Sequence, residues 1–127
     1  MKKNTFKIGK LYAGKEFFLI AGVCAIESEN QVLKTASFLK KICKYYRIPL
    51  IFKASFDKAN RLSINSYRGP GIKKGLEIIK KVKEKLGIPV LTDIHCTQHI
   101  DRVKSVCLLY TSPSPRDLST SRMPSSA

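Results

Sequence analysis

The chain alternates short apolar runs with stretches in which apolar residues recur every three or four positions. Phe17-Phe18-Leu19-Ile20-Ala21 is a continuous apolar run of strand length, suited to a strand buried on both faces. Ser28 follows, with Gln31 three residues later, the spacing of a capping box that starts a helix. The predicted helix carries Val32, Ala36, Leu39, Cys43 and Tyr46 as one apolar stripe, and Pro49 is expected to end it. Leu50-Ile51-Phe52 reads as a second buried strand, and a polar loop runs from Ser55 to Gly71. A second helix places Ile72, Leu76, Ile79, Val82 or Lys83, and Leu86 on one face. Gly87 stands where a C-terminal cap favours positive φ, with Pro89 just beyond. Val90-Leu91-Thr92 is a third strand, and Thr97 to Val106 a third, shorter helical segment. Residues 1–16 are less periodic, with Ala13-Gly14-Lys15 as the expected turn of a small hairpin-like leader.

The order β-α-β-α-β-α, with strand starts roughly 30 to 40 residues apart, is the pattern of parallel strands joined by helical crossovers. The fold class is α/β, either an open doubly wound sheet or a (β/α)8 barrel. Gly22-Val23-Cys24-Ala25 holds one glycine, not a GxGxxG loop, which lowers the dinucleotide-binding option. A barrel needs ~250 residues, so this chain would hold its first three βα units, truncated. The last 20 residues break the pattern: eleven of them are Ser, Thr or Pro, with no 3.6 or 2 period. Residues 1–107 are therefore read as the N-terminal part of a barrel domain. Residues 108–127 are read as a Ser/Pro-rich, non-native or disordered tail, similar in composition to translated adapter sequence.

Lys+Arg 24 against Asp+Glu 9 gives a formal charge of +15, which suits phosphate-bearing partners of any kind. The lysines are scattered, as the coding bias of an AT-rich genome would also scatter them. Stacking aromatics on a basic face and helix-turn-helix or zinc-finger spacings are not evident, so a nucleic-acid-binding module has charge as its only support. No apolar run reaches the ~18 to 20 residues of a membrane span, and the N-terminus lacks the apolar core of a secretory signal. A cytoplasmic protein without membrane or nucleic-acid partners is expected. Cys24, Cys43, Cys96 and Cys107 form no CxxC pair.

In parallel α/β folds chemistry gathers where strands end and βα loops begin. Cys24, Glu27 and Ser28 follow the first strand. Lys53, Ser55, Asp57, Lys58, Asn60, Arg61, Ser63 and Arg68 follow the second, and Asp93 and His95 the third. The cations of the second loop, with neutral hydrogen-bonding groups between them, suit phosphate and carboxylate oxygens.

The segment KASFDKANR, then SYRGPG, then TDIH after the next strand, resembles the 3-deoxy-D-manno-octulosonate 8-phosphate synthases, also called 2-dehydro-3-deoxyphosphooctonate aldolases. AGVCAIES is similar to that family's first-strand motif, and KANR is the element that separates it from the related shikimate-pathway synthases. The resemblance spans about Phe17 to Cys107. It implies a (β/α)8 barrel, a homotetramer, and condensation of phosphoenolpyruvate with arabinose 5-phosphate. It implies that Lys53 and Lys58, with Ser55 nearby, hold phosphoenolpyruvate, and that Asn60, Arg61 and Ser63 face the sugar phosphate. Asp93 and His95 would line the reaction centre. Cys24 stands where metal-independent members carry Asn, so the chain resembles the metal-dependent class, with zinc, iron or manganese bound through that thiolate and no organic cofactor. The other ligands would come from later strands.

The sequence departs from the family pattern at Val23 (usually Pro), Leu62 (commonly Ser), Asn65 (often His) and Cys96 (commonly Glu). Leu62 removes a hydroxyl expected near the sugar phosphate, and an apolar side chain does not replace its hydrogen bond. A synthase using erythrose 4-phosphate is the nearest competing reading. His99 is expected on a helix surface, and Glu27 and Ser28 at a helix start. The 127-residue chain, with an unclosed barrel, is expected to be inactive by itself and poorly folded.

Overall fold

The computed structural model describes residues 6–8, 11–13, 16–57, 69–94, 96–107 and 109–111. A short antiparallel hairpin, β1 (Phe6–Ile8) with β2 (Leu11–Ala13), comes first. The second strand thus occupies Ala13, where the sequence pattern placed the start of the turn. A four-stranded parallel sheet follows in chain order: β3 (Leu19–Val23), β4 (Leu50–Ala54), β5 (Val90–Asp93) and β6 (Leu109–Thr111). The crossovers are α1 (Glu29–Tyr45), α2 (Ile72–Leu86) and a short turn, Thr97–His99 in 3-10 form followed by α3 (Ile100–Val103).

The first strand lies two residues later than the apolar run predicts. Phe17 is 75% exposed, and the ladder begins where Leu19 N–H donates to the Pro49 carbonyl at 2.8 Å. β3 sits at an edge of the described sheet, and its burial alternates rather than being complete. β4 and β5 match the expectation of burial on both faces: seven of their residues are buried outright besides Asp93, and Lys53 is half-buried.

α1 starts as the capping box requires. Ser28 Oγ accepts from Gln31 N–H at 3.0 Å, while Gln31 Oε1 reaches back to the Glu27 N–H at 3.0 Å. Glu27 and Ser28 are therefore committed to the helix start. The helix stops at Tyr45, before Pro49 can act. Arg47 adopts φ 57° and donates to the Lys44 carbonyl, and Ile48 N–H donates to the Cys43 carbonyl, which together form a Schellman motif. Tyr46, expected on the apolar stripe, is the C-cap and is exposed; Val32, Ala36 and Cys43 are buried. α2 has the bounds the periodicity predicts, and Gly87 at φ 64° caps it.

The core lies between sheet and helices. Leu50, Phe52, Ala54, Val90 and Ile94 from the strands meet Val32, Ala36, Leu76, Ile79 and Val82 from the helices. Gly75 lets α2 close onto the sheet: a Cβ there would lie 2.3 Å from Phe56 Cβ. Beyond Cys107, where the tail was expected to begin, β6 adds a fourth parallel strand, with Leu109 opposite Leu91 and Thr111 opposite Asp93.

Candidate functional site

The parallel register decides which side chains share a row. Gly22 is opposite Lys53 and Val23 opposite Ala54, while Lys53 is opposite Leu91. Side chains alternate between the faces of a strand. Phe52, Ala54, Val90 and Ile94 belong to the helix-side core, so Lys53, Ser55, Leu91 and Asp93 take the other face. Carrying the β4–β5 register forward sets Ser55 level with Asp93. Hydroxyl and carboxylate thus form one row at the carboxyl ends of the strands, and Cys24 follows the end of β3 on a bend beside them. The half-buried Lys53 lies one pleat below.

Burial separates the row from Cys24. Ser55 is 1% and Asp93 3% exposed, whereas Cys24 is exposed on a bend just after β3. Ser55 also joins two strand ends through its backbone, its carbonyl accepting from Ile26 N–H at 3.0 Å. Its hydroxyl has no hydrogen-bond partner among the described residues, and neither does that of Thr92, which lies on the helix-facing side of β5. A buried, unsatisfied hydroxyl costs about 1–3 kcal/mol.

Phe56 anchors the loop that leaves this row. Gly71 N–H donates to the Phe56 carbonyl at 2.9 Å. Gly69, at φ 118°, sits so close that a Cβ would lie 2.4 Å from the same oxygen. Departure at Asp57 and return at Gly69 are thereby fixed one residue beyond Ser55. Lys58, Asn60, Arg61 and Ser63, and likewise His95, lie outside the described residues. His99 is half-buried with its ring edge-on to Phe56, centroids 5.3 Å apart, rather than on a helix surface.

Sequence reasoning missed Gly22, Phe56 and Gly69, which act through backbone approach. The Gly69-Pro70-Gly71 punctuation was the available signal. Among the described residues no group of three His, Cys, Asp or Glu stands together. Cys24 offers a thiol with the chemistry zinc or iron favours, but the described residues do not complete a coordination set.

A parallel sheet with helical crossovers, and polar groups collected at its strand carboxyl ends, defines an α/β protein and is consistent with part of a barrel. The sequence profile of the DAHP synthetase I family matches residues 2–112, and the chain belongs to that family. It is 54% identical over 100 residues to a 2-dehydro-3-deoxyphosphooctonate aldolase of Legionella pneumophila (strain Corby), covering 79% of this chain and 36% of that protein. A protein of the same name from Paraburkholderia xenovorans (strain LB400) is 47% identical over 114 residues, 90% of this chain and 39% of that one. The one from Geotalea daltonii is 52% identical over 97 residues, 76% and 36% respectively. The chain therefore spans well under half the length of these curated relatives.

Proposed function

We propose that the chain forms the opening units of a (β/α)8-barrel transferase. That enzyme condenses phosphoenolpyruvate with D-arabinose 5-phosphate and water. The products are 3-deoxy-D-manno-octulosonate 8-phosphate, a precursor of the lipopolysaccharide inner core, and inorganic phosphate. The observation that carries this reading is the single face shared by Lys53, Ser55 and Asp93 at the strand ends, in a chain similar to the three aldolases named above.

The surfaces support continuation of the sheet into a barrel. α1 turns Asn30, Lys34, Ser37, Lys41 and Lys44 to solvent, yet its flank away from α2 carries Phe38, Ile42 and Tyr45, exposed at 63%, 38% and 80%. β3 is itself an edge of the described sheet, and Ile20, on the face away from the helices, is 40% exposed there. A further strand and helix would cover both features at once. Residues 108–127 remain, in this reading, outside the barrel's native sequence apart from the strand at β6.

Both substrates are phosphorylated anions, so bringing them together needs fixed cations in a site that excludes water. Lys53 and Lys58 neutralise and orient phosphoenolpyruvate, and the Ser55 hydroxyl supplies a neutral contact. Asn60, Arg61 and Ser63 take the sugar phosphate. C3 of phosphoenolpyruvate attacks the aldehyde, and C2 becomes electron-poor and receives water. Asp93 and His95 manage that water's proton. Alignment of the reactants replaces an encounter in solution. Cys24 would contribute a thiolate to a divalent metal (zinc, iron or manganese), which supplies Lewis acidity when bound. A homotetramer in the cytoplasm completes the reading.

The test is phosphate release by the chain extended with its genomic continuation. Turnover with arabinose 5-phosphate, and a loss of about 100-fold or more in Lys53→Ala, is the expected result. Preference for erythrose 4-phosphate would overturn the assigned aldehyde. Failure to bind phosphoenolpyruvate, together with salt-sensitive binding to random oligonucleotides, would overturn the enzyme reading.

A further inference from the structure

Ser55 and Asp93 stand level at two neighbouring strand ends, yet the ladder between those strands closes before it reaches them. The register pairs of β4 with β5 are Phe52 with Val90 and Lys53 with Leu91, two residues short of the row. Each residue is held from its outer side. The Ser55 carbonyl accepts from Ile26 N–H at 3.0 Å, and Asp93 is paired with Thr111 of β6. Neither of these links sets the spacing between the two.

Past the ladder, a pair of side chains crosses from one strand end to the other. Phe56 follows Ser55 directly, and His99 lies in the turn six residues after Asp93. Their rings meet at 77° with centroids 5.3 Å apart, the edge-to-face geometry that aromatic rings favour.

Both partners are fixed by their surroundings. Phe56 is 1% exposed. Its carbonyl accepts from Gly71 N–H at 2.9 Å, and its Cβ abuts α2 at Gly75. The ring has no room to retreat toward that helix. His99 closes a 3-10 turn, its N–H donating to the Cys96 carbonyl at 3.1 Å. The helix that follows sets Val103 in the core, with Val106 and Cys107 after it. A contact between two rings anchored in this way transmits position, because neither end is slack.

We propose that, in the condensation proposed above, His99 is a positioning residue: through Phe56 it sets the distance of Ser55 from Asp93. This role rests on that reaction, and His99 plays it without touching substrate.

Steady-state phosphate release by the chain extended with its genomic continuation tests it in His99→Ala, His99→Phe and Phe56→Leu. His99→Ala should lower kcat about tenfold, the scale of a small misplacement. Lys53 still supplies binding charge, so KM for phosphoenolpyruvate should change less than about threefold. His99→Phe keeps a ring against Phe56 and should recover kcat to within about threefold of the parent. Phe56→Leu should lose about as much as His99→Ala, and the double variant little more than either, as two members of one contact do. Val82→Ala opens a cavity late in α2 and controls for stability. It should lower the unfolding midpoint and leave kcat within about twofold.

Hydrogen exchange on the 127-residue chain reads the contact without any activity. The amides of Ile26 and Gly71 donate to the carbonyls of Ser55 and Phe56. They should exchange at least about threefold faster in His99→Ala and at the parent rate in His99→Phe. An extended parent that releases no phosphate overturns the condensation; the exchange rates then decide the positioning role by themselves. Unchanged exchange at both amides in His99→Ala, a rise in KM that accounts for the whole loss, or no recovery in His99→Phe would overturn the proposal.

Discussion

Gly22 and Lys53 are register partners on adjacent parallel strands, and their backbones approach so closely that a Cβ on Gly22 would lie 1.7 Å from the Lys53 carbonyl oxygen. The contact is with backbone, so no rotamer change relieves it. β3 would have to move away from β4 directly below the strand end that holds Ser55. Gly22→Ala is expected to destabilise the chain by about 1–3 kcal/mol, the range of forced overpacking. Chemical denaturation measures this, and a change under about 0.5 kcal/mol would contradict the close approach.

Arg47 closes α1 in a conformation that suits glycine. At φ 57° its Cβ crowds the backbone, a cost of roughly 1–2 kcal/mol for an L-residue, while the Schellman bonds to Lys44 and Cys43 hold it there. Arg47 is exposed, so its replacement leaves no cavity. Arg47→Gly should therefore raise stability by about 0.5–1 kcal/mol, less the extra freedom glycine has when unfolded. A thermal melt that falls on this substitution would show that the side chain contributes something the backbone geometry does not reveal.

Arg47 also shows where sequence reading stops. Helix α2 was legible to the residue because its apolar period, its glycine cap and the following proline all agree. The end of α1 was misplaced because an arginine occupies the left-handed position, and composition gives no sign of that. β3 was displaced because Phe17 and Phe18 extend the apolar run beyond the ladder; hydrogen bonds to β4, not hydrophobicity, set its start. Ser55 and Asp93 were legible as polar groups ending apolar strands. Their level alignment was not, because it depends on pairing register between distant segments.

The thiols divide into two pairs. Cys24 and Cys96 are exposed, while Cys43 and Cys107 are buried. Burial pushes the Cys107 thiol from 9.0 up to about 12, against the opposing pull of nearby Lys83. The folded chain therefore keeps this proton where the unfolded chain releases it. The resulting stability is complete below about pH 9 and is lost as pH rises toward 12. Alkylation at pH 8 should modify Cys24 and Cys96 and spare Cys43 and Cys107 until the chain unfolds. Cys107→Ala should flatten the alkaline decline in denaturation midpoint; an unchanged decline would assign it to other groups.

Two contacts tie α1 to the C-terminal part of α2: Lys81 Nζ to Glu29 and Lys40 Nζ to the Leu86 carbonyl at 2.6 Å. The hydrogen bond from Lys81 holds the Glu29 carboxyl below its ordinary value, and the same bond raises Lys81. A lowered carboxylate stabilises the fold above its unfolded value and loses that contribution as pH falls through the folded one. Both side chains remain nearly half exposed, so salt screens the attraction and the effect is small. Stability should decline on acidification below the ordinary carboxylate range, by less in high salt than in low. Glu29→Gln should remove the salt-sensitive part of that decline while leaving the Ser28 cap and the Lys40 contact in place. Denaturation midpoints at matched pH and two ionic strengths test this. Identical acid profiles for Glu29→Gln and the parent chain would rule out the Lys81 tie as a contributor.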